Sequence, residues 1–87
     1  MKASHILVKT IDGAKYVKDK IAAGEPFSKA AKMYSQCTSA VNGGDLGEFV
    51  SGQMVKPFEE AVLALEVGQT SDPVETQFGW HIIQRTG

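Results

Sequence analysis

Two histidines, one cysteine and a short apolar group are the residues of this chain whose types could carry a reaction. His5 and His81 lie near opposite ends of the sequence. If the segments that carry them pair in a sheet, the two imidazoles meet and hydrogen-bond each other or hydroxyls such as Ser4 and Thr76. If the segments do not pair, these are two unrelated histidines, each satisfied on its own. Cys37 stands among Gln36, Thr38 and Ser39. A thiol there becomes reactive when a neighbouring histidine lowers its pKa, and is otherwise incidental. Zinc held by His5, Cys37 and His81 would lack both a local C-x-x-C or H-x-x-H pair and a fourth ligand, so no metal is expected. Met54 and Phe58, four residues apart with Gln53 beside them, have the spacing of a core pair. They flank Pro57 at the start of a helix, where the same pair equally suits the lining of a cleft. Gly43, Gly44 and Gly47 are followed by no Lys-Ser/Thr pair and no long helix, so they suit tight turns rather than a phosphate loop.

The elements that must position these residues follow from periodicity. Ser4 to Lys9 is short, apolar and β-branched, the pattern of a buried strand. Asp12 is placed to cap a helix through Ala14, Val17, Ile21 and Ala22, which Gly24 stops. Phe27, Ala30, Ala31 and Tyr34 share one face of a second helix. Ser35 to Asp45 is a polar loop or broken short helix, and Leu46 to Val50 a short strand closed by Ser51-Gly52. Pro57 suits the first turn of a long third helix, with Glu59 and Glu60 at its positive end and Gly68 as its stop. Strands near Asp72–Thr76 and Gly79–Thr86 remain, joined around Gln77-Phe78-Gly79. This order predicts one α+β domain over residues 1–87, its helices packed on a small sheet.

Composition narrows the function classes. The 87 residues carry nine basic and ten acidic side chains, a net charge of −1, with no basic block. Counterion-release binding to nucleic acid has no source, and attraction to an acidic membrane has none either. The apolar runs are far shorter than a span of about 20 residues. The start, Met1-Lys2-Ala3-Ser4-His5, leads directly into a strand, so no signal peptide is expected. One cysteine makes no internal disulfide. A cytoplasmic, monomeric protein is the expectation.

Five segments, taken together and in order, resemble the parvulin family of peptidyl-prolyl cis/trans isomerases. They are Ser4-His5-Ile6-Leu7-Val8, Gly43-Gly44-Asp45-Leu46-Gly47-Glu48-Phe49, Gly52-Gln53-Met54-Val55-Lys56-Pro57-Phe58-Glu59, Gly68-Gln69-Thr70-Ser71-Asp72-Pro73-Val74 and Phe78-Gly79-Trp80-His81-Ile82-Ile83. The resemblance implies a four-stranded antiparallel sheet surrounded by helices, in the order β-α-α-(short α)-β-α-β-β. It implies an active site with His5 and His81 on adjacent strands, Thr76 beside them and Cys37 above them. Leu46, Met54 and Phe58 would hold the substrate proline ring, with Gln53 beside it and Phe78 at the border. It implies proline-containing polypeptides as partners and no cofactor.

Two departures qualify the resemblance. The phosphate-directed branch of the family carries an extended basic loop after the first strand, whereas Lys9-Thr10-Ile11-Asp12-Gly13 is short and cannot clamp a phosphate. Gln36 replaces the acidic residue that often precedes the cysteine in relatives, which alters the polarity around Cys37. Rotation about an X–Pro bond breaks no bond and crosses a barrier of about 20 kcal/mol. A dry pocket that favours the twisted amide is therefore sufficient, with the histidines architectural and Cys37 tuning the field at the carbonyl. Competing readings are a module that binds such segments without turning them over and, more remotely, a Cys-His hydrolase. The hydrolase lacks a recognisable oxyanion loop and an orienting carboxylate.

Overall fold

The computed structural model describes all 87 residues, Met1–Gly87. Four strands, β1 (Lys2–Val8), β2 (Asp45–Glu48), β3 (Val74–Thr76) and β4 (Gly79–Arg85), form one sheet in the spatial order β2-β1-β4-β3. Every neighbouring pair is antiparallel. Helices α1 (Ile11–Ala22), α2 (Phe27–Tyr34) and α3 (Lys56–Ala64) and a 3-10 turn at Thr38–Asn42 complete the chain. No helix is long and apolar enough to cross a membrane.

The two central strands bury side chains on both faces because both faces are covered. Ile6, Val8 and Ile82 pack under α1 and α2 against Ala14, Val17, Phe27, Ala30 and Ala31. On the other face Ala3 and Ile83 meet Phe49 and two α3 residues, Phe58 and Val62. Ile6, Ile82, Ile83, Val17 and Val62 are fully buried, each worth ~1.5–3 kcal/mol of transfer free energy. The alanines keep α1 and α2 close to the strands, and Phe58 makes the single large contact beneath α3.

Local signals explain most element ends, with two corrections. Thr10, not Asp12, caps α1: its Oγ1 accepts the Gly13 N–H at 3.1 Å. Asp12 lies two residues too far, inside the first turn, where its charge still favours the positive helix end. Gly24, at φ 109°, does stop α1. The Glu25 N–H reaches Lys20 O at 3.1 Å and the Gly24 N–H reaches Ile21 O at 3.0 Å, the double closure of a Schellman end. Helix α3 is shorter than expected and ends at Ala64, well before Gly68. The end of β4 captures this segment: Arg85 Nη1 donates to Leu65 O at 3.0 Å and the Gly68 N–H to Arg85 O at 2.7 Å. Gly68 serves the turn that follows.

Gly44 is the backbone position on which the site depends most directly. Its carbonyl accepts the His5 N–H at 2.9 Å, which seats the end of the 3-10 turn against β1. Its φ is +83°, and a Cβ built there would stand 2.3 Å from His5 O. Gly44→Ala should therefore lower the free energy of unfolding by about 3 kcal/mol through strain and lost strand contact. A urea melt checks this: the midpoint should fall with the slope unchanged, and an unshifted midpoint would refute the close-approach account.

Candidate active site

The β1–β4 register sets the centre of the site. His5 stands opposite Ile83 and Leu7 opposite His81, so the two histidines form a diagonal pair on one face of the sheet. Their Nδ1 atoms are 2.9 Å apart, and the rings are tilted by 21° with centroids 5.1 Å apart. Of the two readings left open by the sequence, pairing is the one realised. Thr76 Oγ1 lies 2.7 Å from His81 Nε2 and accepts the Phe78 N–H at 3.2 Å. Ser4 is no part of this network. Side chains alternate along a strand, so Ser4 points to the opposite face from His5.

One proton must lie between the two Nδ1 atoms, and two polarities satisfy the chain. In one, Thr76 donates to His81 and His81 to His5, leaving a proton on His5 Nε2. In the other, every bond runs the opposite way and the Thr76 hydroxyl hydrogen is free to turn toward the cleft. In both, His5 Nε2 is buried without a partner. Both rings are held neutral. Burial, and secondarily the charge that His81 would carry, lower the His5 pKa to about 4. Burial lowers that of His81 as well. Phe58 seals the pair from the α3 side, its ring edge-on to His5 at 5.7 Å and to His81 at 5.4 Å, both near 80°.

Above the histidines opens a cleft of about 350 Å³. Its lining includes His5, Cys37, Leu46, Gln53, Met54, Phe58, Phe78 and His81, so eight of the residues singled out from the sequence converge there. Thr76, the ninth, reaches the cleft only through His81. Met54 and Phe58 are cleft residues, and Phe58 is a core residue too, being 2% exposed. Leu7 and Val55 also line the cleft and were not foreseen. Leu7 was legible in principle, since it lies two residues from His5 on the same strand face. Val55 precedes α3 and carries no such signal.

Cys37 is held in place by β1. The Gln36 N–H donates to Leu7 O at 2.7 Å, and Ser35 Oγ accepts both the Leu7 N–H at 3.1 Å and the Cys37 N–H at 3.3 Å. Partial burial pushes the thiol pKa up, but hydrogen bonds from the side chains and backbone of Ser39 and Thr38 outweigh it and hold the thiol below its ordinary value. The influence comes from the 3-10 turn and not from a histidine. The two histidines and Cys37 do not form a metal-binding cluster.

The PPIC-type PPIase domain model matches residues 5–87. The chain belongs to the parvulin family of peptidyl-prolyl isomerases. It is 60% identical over 87 residues to the foldase protein PrsA of Geobacillus kaustophilus, covering 99% of this chain and 31% of that protein. The crystal structure of the peptidylprolyl isomerase PrsA from Bacillus anthracis superposes with a TM-score of 0.98 at 49% identity, covering 100% of this chain and 41% of that one. The solution structure of NmPin, the parvulin of Nitrosopumilus maritimus, gives 0.88 at 46% identity and covers 95% of that chain. The parvulin domain thus spans about a third of the length of the curated PrsA relatives it matches.

Neutral, buried imidazoles make the domain's stability depend on pH. The unfolded chain takes up protons near pH 6.5 that the folded histidines refuse, so their contribution is full above that value and is lost as the pH falls toward about 4. His5 alone accounts for on the order of 3 kcal/mol over that window. Imidazole NMR resonances of the folded domain should show no titration of His5 near 6.5, with denaturant midpoints declining below that pH. A normal titration of both rings would contradict the buried pair.

Proposed function

We propose that this domain accelerates rotation about X–Pro bonds in unfolded or flexible polypeptide segments by holding the proline ring in the Leu46, Met54 and Phe58 cleft. The observation that carries the reading is an apolar cleft floored by two neutral imidazoles: seven of its ten lining residues are hydrophobic. The planar amide owes its rigidity to charge separation between nitrogen and oxygen, and water stabilises that separation. Removing water therefore costs the planar forms more than the twisted one. A charged floor would reverse this by solvating the planar dipole. The lowered pKa of each histidine keeps the floor uncharged at neutral pH.

Within this mechanism His5, His81 and Thr76 fix the shape and polarity of the floor, and Cys37 sets the field near the carbonyl that swings. Covalent attack by Cys37 is the weaker account. Rotation needs no acyl-enzyme, and such an intermediate would expose the substrate to hydrolysis. The segments acted on are read as broad and not phosphate-directed, because only Lys9 and Thr10 separate β1 from α1, and Thr10 is committed to its cap.

Two measurements test the reading. Exchange NMR on Xaa-Pro peptides with sub-stoichiometric protein should show faster cis/trans exchange, cut about tenfold by Met54→Ala. A phosphoserine before proline should give no advantage over alanine or leucine. Shifts on binding without faster exchange would instead identify a segment-binding module. Separately, Cys37→Ser should keep activity within about tenfold of the parent. Complete loss in a folded variant would revive the covalent route.

A further inference from the structure

Gln53 and Met54 form one wall of the cleft; Met54 packs against the Phe49 and Phe58 core, whereas the exposed turn that leads into it has few attachments. Val50, Ser51, Gly52 and Gln53 are all exposed. The turn closes on itself through the Gln53 N–H to Val50 O at 3.2 Å and the Val50 N–H to Gln53 Oε1 at 2.7 Å, with Gly52 at φ 93°. Neither bond anchors it to the rest of the fold. Two others do, and both end on one carboxylate. Glu59 Oε1 accepts the Gly52 N–H at 2.7 Å, and Glu59 Oε2 accepts the Ser51 hydroxyl at 3.0 Å. No other hydrogen bond ties residues 50–53 to another element. Glu59 follows Phe58 directly in α3, so the helix that seals the histidine floor also grips the cleft wall.

We propose that Glu59 is a positioning residue for the isomerase reaction, clamping the Ser51–Gly52 turn so that Gln53 and Met54 are set over the proline ring before substrate arrives. The inference rests on the isomerase reading of this cleft. Without the clamp, the turn must be ordered at each binding event, and that entropic cost falls equally on ground state and transition state. The signature is a weaker affinity with turnover retained. The plainer role for this glutamate is a favourable charge in the first turn of α3. The two roles separate under conservative replacement. Glu59→Gln removes the charge but keeps an oxygen for the Gly52 N–H and gains an amide that can donate to Ser51 Oγ. Glu59→Ala removes both.

The test compares the parent, Glu59→Ala, Glu59→Gln and Ser51→Ala by exchange NMR on an Ala-Pro peptide, with peptide titrations, Gly52 amide exchange and urea melts. Glu59→Ala should raise KM about five- to tenfold with kcat within about twofold, and lose protection of the Gly52 amide. Glu59→Gln should restore KM to within about twofold of the parent despite a lower urea midpoint, with Ser51→Ala intermediate. Equal KM changes in Glu59→Ala and Glu59→Gln, or no change in either, would overturn the clamp and leave only the helix-end charge. If the parent binds the peptide without speeding exchange, the isomerase reading fails. The clamp is then judged by Kd, which must weaken about fivefold in Glu59→Ala but not in Glu59→Gln for it to stand.

Discussion

The site depends on the antiparallel pairing of β1 with β4. That register, with Leu7 opposite His81 and His5 opposite Ile83, is what turns two histidines 76 residues apart into one hydrogen-bonded unit. A slip of one residue would send one imidazole to the α1/α2 face and leave the other buried alone. The hydrophobic alternation guards against this. Ile6, Val8 and Ile82 belong under α1 and α2, and Ala3 and Ile83 belong under α3, so the register that satisfies the core is the register that builds the site. Stability and function rest on the same ladder.

The pair has a thermodynamic cost that the surroundings offset. Two polar rings are taken out of water and only three of their four nitrogens are bonded. The unpartnered His5 Nε2 is disfavoured by on the order of 1–3 kcal/mol. Phe58 helps to compensate, since its buried ring contacts both imidazoles and Phe49 edge-on and joins the α3 core. The same burial is what keeps the imidazoles neutral. The feature that reduces stability is thus the feature that gives the cleft an uncharged floor.

How far the sequence revealed this depended on the range of each interaction. The strands, the apolar faces of α1 and α2, the Gly24 stop and the place of Pro57 in α3 were legible because they are local. The cap was placed two residues too late, at Asp12, because aspartate is a favoured capping type while the backbone geometry puts the Thr10 hydroxyl at the cap. The end of α3 was misplaced because Arg85, twenty residues on, determines it through Leu65. Residue type and position picked out His5, Cys37, Gln53, Met54, Phe58 and His81 but left the pairing of the histidines and the core or cleft role of Met54 and Phe58 open; the family resemblance decided these and alone supplied Leu46 and Phe78. Ser35, Thr38 and Ser39, which orient and polarise Cys37, carry no signal of their own in the sequence. Their roles exist only once the 3-10 turn is folded against β1.

The division of labour around the cleft follows from what each element can fix. The sheet carries the imidazoles on paired strands, and their mutual geometry must hold to a few tenths of an ångström for the 2.9 Å bond to form. Helix α3 carries Phe58, a ring that tolerates small displacement because dispersion and edge contacts are not strongly directional. The Ser35–Cys37 segment and the exposed Val50–Gln53 turn carry Cys37 and Gln53 of the cleft lining. Each is fastened to a rigid neighbour by a pair of hydrogen bonds, the first to the Leu7 backbone and the second to Glu59.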